Sequence, residues 1–353
     1  MLKPLLKLGI YIFAMVLLSA CADKKPEPVK IVIPGPPEEP RIFFDATYRG
    51  EKSFEESSTL DSLIGEVGKV GNKNLAKPYG VASDGQIVYV SDTALGAVMA
   101  IDEAAKKVSL VGDRAPGKLA LPIGIAIDSA KRIFVSDSKG SRVFVYDTQG
   151  KLLNAFGKSG EFDRPTGLAI DNNLKRLYIV DTKGHDIKVY SLEGEKLFAF
   201  GKRGVGEGEF NFPTNIAVDR RNGNIAVVDT QNFRVQLFNS KGEFLMKFGK
   251  VGDKPGMFAR PKGIGIDSDG NMYVADSAFN NIQVFNDKGE LLIYFGGTGR
   301  EVGSFSLITG VYIDEGDRIY IVDGFNSRVQ IYQYVSEAWK KKHPEKYEEL
   351  KKF

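Results

Sequence analysis

The chain has 353 residues, 42% of them hydrophobic and 26% charged, with 39 glycines and a formal net charge of +3. That balance fits a globular protein rich in turns and gives no case for nucleic acid as a partner. The single cysteine, Cys21, excludes an intrachain disulfide and a C-x-x-C-H haem attachment, and two histidines, His185 and His343, exclude a three-histidine metal site.

Residues 1–20 read as an export signal. Lys3 and Lys7 precede an uncharged apolar run over residues 8–18, short of the roughly 20 residues a spanning helix needs. The run ends in Leu18-Ser19-Ala20-Cys21, which resembles the lipobox of bacterial lipoproteins. The resemblance implies a lipid on Cys21, a mature chain that starts there, and attachment to a membrane of the cell envelope. Ala22 stands where an Asp would resemble an inner-membrane retention signal, so the outer membrane is the expected address. Residues 21–40 are rich in Pro and charge and are expected to form an extended tether between anchor and domain.

Residues 41–48, RIFFDATY, read as a strand, and residues 58–66 have the apolar spacing and Ser or Thr start of a short helix. Six copies of one pattern follow, starting at Pro78, Pro122, Pro165, Pro213, Pro261 and Ile308, with 43 to 48 residues between successive starts. Residues 213–249 show it best. Short runs rich in Val, Ile or Phe are bounded by Gly, Asn, Asp or Ser, which predicts a four-stranded meander. A period of this length is that of a propeller blade. The sixth copy lacks a fourth strand, and residues 41–48 form a fourth strand without a blade. The predicted fold is therefore all-β, a six-bladed propeller over residues 41–335 closed by its N-terminal strand. A basic helical tail follows over residues 336–353, with Trp339 expected to pack on the propeller.

The repeated segments P-x-G-[IVL]-A-[IV]-D, [IL]-[YF]-[VI]-x-D-[ST], R-[VI]-x-[VLI]-[FY] and G-x-x-x-x-x-F-G resemble NHL repeats. The resemblance implies a ring that serves as a binding platform, and its exported, lipid-anchored members generally have no assigned activity.

A residue present in every copy is expected to serve the scaffold, and function is expected where one copy departs. The second-strand acids Asp92, Asp137, Asp181, Asp229, Asp276 and Asp323 and the inner-strand glycines Gly80, Gly124, Gly167, Gly263 and Gly310 belong to the scaffold. Phe162, Phe210, Phe258 and Phe305, with Leu75 and Leu119 in their place early on, are expected to plug the gaps between blades. Asn215 departs from the glycine set and Lys262 sits at an inner-strand start. Gluconolactonase-like propellers hold a metal with such an Asn, but the acidic partners are absent here and Lys262 would repel a cation, so neither metal nor cofactor is expected. Asp267-Ser268-Asp269 is read as a hairpin turn rather than a calcium loop, because Ala278 stands where the loop's last acid belongs. His185, in a polar turn, is expected to be exposed.

Arg142, Arg234 and Arg328 precede third strands and suit either inter-blade bonding or a ligand-binding ring. Lys202, Arg203 and Lys250 fall in the loops from fourth to first strands and give that face a basic excess. These features together predict a non-enzymatic, lipid-anchored binding protein of the envelope. Its partner would be another envelope protein or an anionic ligand, with no nucleic acid and no haem of its own. The alternative is a lactonase-like hydrolase or lyase with its site at the channel mouth near Asn215.

Overall fold

The structure, a computed structural model, describes residues 30–35, 37–54, 73–158 and 160–352. Cys21 and the helix expected over residues 58–66 lie outside the described residues.

The meander pattern folds as read. In the fourth blade the strands are Pro213–Val218, Ile225–Asp229, Arg234–Phe238 and Phe244–Phe248. Each strand pairs antiparallel with the next. Five such four-stranded sheets and one five-stranded sheet make six blades, and the first strand of each lies innermost. Alternation along each strand directs residues to both blade faces, so the core is divided among the gaps between neighbouring blades. Phe210, for example, lies among Tyr178, Val180, Ile187 and Val189 of the third blade and Ile216, Ile225, Val227 and Phe238 of the fourth.

The loop plugs occupy these gaps as expected. Phe210, Phe258 and Phe305 are fully buried, and Leu75, Leu119 and Phe162 nearly so. Each buried aromatic of this kind contributes about 1.5–3 kcal/mol by leaving water. The glycine that ends the fourth strand makes room for the plug. Gly201 has φ +92°, and a Cβ there would stand 2.5 Å from the Phe210 ring. The motif needs Gly both for the left-handed turn and for the ring behind it.

The ring closes as the incomplete sixth copy predicts. β1 (Val32–Ile33) and β2 (Ile42–Tyr48) join the last sheet. β2 pairs with the strand Arg328–Tyr334, Ile42 opposite Tyr334 and Tyr48 opposite Val329. β1 departs from the sequence reading. Val32 and Ile33 pair with Phe43 and Ile42, so the compact unit begins at Ile31 and residues 31–35 are not free tether. The two β-formers lie next to a sheet edge that still has open hydrogen bonds, and apolar neighbours cover them. The tail forms α1 (Glu337–Lys342) and α2 (Pro344–Leu350). Trp339 is buried, with its ring centroid 5.3 Å from that of Phe43, which anchors the tail on β2.

Closure by a strand from the other end of the chain has a measurable consequence. Deleting residues 22–30 leaves the Tm of the full chain unchanged. Deleting residues 22–48 removes the partner of Arg328–Tyr334 and lowers Tm by about 10 °C or more. Thermal unfolding of the two truncations followed by circular dichroism checks both.

Candidate functional site

Six inner strands surround a central cavity of about 690 Å³, lined by Tyr79, Thr214, Asn215 and Thr309 toward one end and by Asp84, Asp128, Asp171, Asp219, Asp314 and Glu315 toward the other. The first end lies on the face of the fourth-to-first loops, and the second lies among the first-to-second turns.

The repeated positions serve the ring. A Cβ on Gly124 would lie 2.2 Å from the Thr166 carbonyl oxygen, and one on Gly80 would lie 2.3 Å from that of Ile123. The inner strands therefore touch backbone to backbone, and any side chain would force them apart. Hydroxyls tie the same junctions. Ser91 Oγ donates to the Ile123 carbonyl at 2.6 Å, Thr182 Oγ1 to that of Pro213 at 2.7 Å and Thr230 Oγ1 to that of Pro261 at 2.9 Å. In the second, third and fourth blades the Ser or Thr after the second-strand Asp thus reaches the next blade, and in the first blade the Ser before it does. Sequence reasoning had assigned that dipeptide only to its own turn.

The second-strand acids are consumed by scaffold donors, backbone amides in most blades and side chains as well in the fourth and sixth. Asp92 accepts from the amides of Ala76 and Lys77 in the preceding loop and of Ala94 and Leu95 in the following turn. The first-strand acids hold their own turns similarly, as when Asp267 accepts from the amides of Asp269 and Asn271. Asp267-Ser268-Asp269 is thereby a hairpin turn, as expected. Burial pushes the Asp267 carboxyl up to about 6, opposed by donors from Asn271 and reinforced by the nearby Asp317.

The arginines before third strands divide. Arg234 is buried, bonds Asp229 at 2.9 Å, and donates to the carbonyls of Val205, Gly206 and Glu209 in the connecting loop. Burial still pushes the Asp229 carboxyl up, against the pull of the Asn211 amide, Asn232 and Arg234. Arg328 repeats the arrangement with Asp323 at 2.7 Å and the carbonyls of Glu301 and Ser304. Arg142 is exposed. A ligand-binding ring of these three does not form, because two have their donors directed into the scaffold. The third blade carries Asp186 in place of the Arg, and Lys188 supplies the cation instead, 2.7 Å from Asp181 and 2.8 Å from Asp186.

His185 is buried rather than exposed. Its Nδ1 lies 3.2 Å from both the Phe210 carbonyl oxygen and the Phe212 amide nitrogen, and its ring packs on Phe212. The turn containing it folds under the next loop, which a single-blade reading of the sequence does not reveal.

The departures from the repeat collect at the two ends of the cavity. Asn215 lines it, half-buried, while Lys262 extends its Nζ to 5.6 Å from the centroid of Tyr79 on the first blade. At the turn end Arg220 spans from the fourth blade to the sixth, donating to the Ile313 carbonyl at 3.0 Å and to that of Asp314 at 2.9 Å. Sequence reasoning missed Arg220. Its signal is that Gly85, Ser129, Asn172, Ser268 and Glu315 hold the equivalent place after the first-strand Asp. Lys202, Arg203 and Lys250 are exposed on the loop face, Lys202 in contact with Glu209 at 3.3 Å. The same face exposes Val205, Phe212, Val251 and Phe325, which the charge pattern had obscured. Among the described residues, no group of three His, Cys, Asp or Glu stands where it could hold a metal ion.

Comparison with known proteins agrees with this geometry. A family model described as a 6-bladed beta-propeller matches residues 123–199, and the NHL repeat matches residues 210–238. No curated protein matches the chain significantly. Among solved structures, a streptogramin B lyase is 15% identical with a TM-score of 0.55, covering 74% of this chain and 85% of its own. A structural-genomics protein of unknown function from Bacteroides thetaiotaomicron is 17% identical with a TM-score of 0.59, covering 75% of this chain and 70% of its own. A catalytically inactive His-to-Ala variant of virginiamycin B lyase from Staphylococcus aureus, with quinupristin, is 14% identical with a TM-score of 0.55, covering 73% and 95%. These likenesses define a six-bladed propeller with NHL repeats, and at such identities they speak for the fold alone.

Arg234→Ala leaves Asp229 buried without its cation and is expected to cost about 3–5 kcal/mol of stability, whereas Arg142→Ala stays within about 0.5 kcal/mol. Denaturant unfolding of the two variants separates them. Asp267 yields a pH signature. Its folded pKa of about 6 lies above the 3.8 of a free aspartate, so its contribution is fully present below 3.8 and is lost as pH rises toward 6. The stability of the wild type relative to Asp267→Asn is expected to fall by about 3 kcal/mol across that window, measured by denaturant unfolding at stepped pH.

Proposed function

We propose that this protein is a non-enzymatic, lipid-anchored binding protein of the bacterial cell envelope that presents its loop face to another envelope protein or an anionic ligand. The observation that carries the reading is the contrast between used and unused groups. The repeated acids, and the arginines Arg234 and Arg328, have their polar atoms directed into the ring. The exposed cations Lys202, Arg203 and Lys250 stand on loops beside Val205 and Val251, which are 75% and 65% exposed. Apolar groups at this exposure beside cations suit a surface that a partner covers, and loops on a rigid ring vary without disturbing the core. The basic excess would speed encounter with an anionic partner in a salt-dependent way. The segment ending at Cys21 supports lipid attachment, and Ala22 supports the outer membrane as its address.

The fold shared with streptogramin B lyase supports a second reading, a lyase or hydrolase with its site at the channel mouth near Asn215. An inactive His-to-Ala variant of virginiamycin B lyase weighs against carrying that chemistry over. Here His185 is buried against backbone atoms and His343 caps a tail helix.

Two measurements test the proposal. Mass spectrometry of the mature protein from its native envelope is expected to find a lipidated Cys21 as the first residue; an unmodified start elsewhere overturns the anchor. Replacing Lys202, Arg203 and Lys250 together with Glu is expected to abolish capture of native envelope partners. The same change at Lys131, Lys241 and Lys288 on the opposite face leaves capture intact. The reverse pattern would assign binding to the wrong face.

A further inference from the structure

At its loop end the central cavity is lined by Tyr79 and Asn215, with the Lys262 ammonium beside them over the Tyr79 ring. The Ile216 amide lies 2.8 Å from the Asn215 side chain and can only donate, so the atom facing it is Oδ1. The Asn215 Nδ2 protons are left without a protein partner among the described residues. The Tyr79 hydroxyl likewise has no partner among the described residues, although Tyr79 lines the cavity. Lys262 is half-buried, rests on the Tyr79 ring at 5.6 Å, and has no carboxylate within ion-pair distance among the described residues. Its position is fixed at the backbone, where the Lys262 carbonyl accepts from Thr214 Oγ1 at 3.2 Å. A half-desolvated ammonium with only an aromatic face for company is satisfied in part, at about 0.5–2 kcal/mol, and a bound anion would add a charge-assisted hydrogen bond.

The rest of the cavity suits an elongated molecule. Each inner strand ends its sheet, so its axis-facing edge has backbone amides and carbonyls without strand partners. The volume of about 690 Å³ lies within the roughly 300–1,000 Å³ of ligand cavities. The acids lie at the far end, where their turns engage them and Arg220 bridges the mouth. Lys131, Arg220 and Arg318 also line that end but are outnumbered by its carboxylates, so an anion meets net attraction at the loop end.

We infer that the loop-side mouth binds a carboxylate-headed molecule, with the carboxylate between Lys262 Nζ, Asn215 Nδ2 and the Tyr79 hydroxyl and the body in the channel. The carboxylate belongs either to a free organic acid or to the C-terminus of a peptide. The inference deepens the loop-face reading of the proposed function by naming a ligand chemistry. It makes no use of Lys202, Arg203 or Lys250, so partner capture through those residues can fail or persist without altering it.

Saturation-transfer NMR on the purified full chain tests it with glutarate, tetra-alanine and tetra-alanine amide as probes. At least one free-carboxylate probe is expected to bind, and the amide is expected not to. Kd rises at least tenfold, about 1.4 kcal/mol, in Lys262→Gln and in Asn215→Ala, while Lys288→Gln on the opposite face leaves it unchanged. Whether glutarate or tetra-alanine binds more tightly distinguishes the two sources. Thermal unfolding identifies a variant whose ring is disturbed, and Lys262→Gln then decides alone, because its side chain carries no hydrogen bond of the scaffold. No binding of either acid at about 10 mM, equal binding of the amide, or binding that survives the Lys262 change would overturn the inference.

Discussion

The close approach of neighbouring inner strands governs this molecule. Six backbones meet around one axis, near enough that a Cβ on Gly124 would sit 2.2 Å from the Thr166 carbonyl oxygen. Glycine at that position lets the strands touch, and hydroxyls such as those of Ser91, Thr182 and Thr230 then donate across the junction. Farther from the axis the blades diverge, and Phe210, Phe258 and Phe305 fill the widening gap. Small residues inside and aromatics outside are two consequences of one wedge-shaped geometry. A ring built this way has no free sheet edge between its ends only if it closes, and β2 closes it by pairing with Arg328–Tyr334.

The same geometry explains why the acids are not candidates for chemistry. A carboxylate at the end of each second strand gathers amides from the loop before its blade and donors from the turn within it, four backbone amides for Asp92 and the side chains of Asn232 and Asn326 for Asp229 and Asp323. Buried amides need acceptors, and a carboxylate offers two oxygens to several donors at once. Where a cation is also buried, its partner is supplied locally, as with Arg234 and Asp229 or Lys188 and Asp181. The cation is Lys in the third blade and Arg in the fourth and sixth, with the second-strand Asp as its partner in each.

The period, the strand order and the plugs were legible in the sequence because each recurs, so that an error in one copy is corrected by five others, and the closing strand was legible because the sixth copy lacks its fourth strand. What was not legible depends on contacts between copies. The burial of His185 comes from the loop of the next blade lying over it, and the cross-blade hydroxyl bonds are invisible within one repeat. β1 was hidden because Val32 and Ile33 sit among prolines and charges, and two residues are too few to give a strand pattern. Of the candidate site, Asn215 and Lys262 were legible as departures from the repeat. Arg220 was equally anomalous at its own position but stood in a turn already assigned to the scaffold. The separate fates of Arg142, Arg234 and Arg328 required the structure, since the three share one motif position yet only two have loop carbonyls within reach.

The central claim is that recurring residues build the ring and that the loop face, where the copies differ, meets the partner. Lysine crosslinking in the native envelope, followed by mass spectrometry of the joined peptides, tests it most directly. Exposed lysines mark both faces, with Lys202 and Lys250 among the loops and Lys131, Lys175, Lys241 and Lys288 among the opposite turns. The account predicts intermolecular crosslinks from Lys202, Lys250 and Lys262. Crosslinks confined to Lys131, Lys175, Lys241 and Lys288 would contradict it.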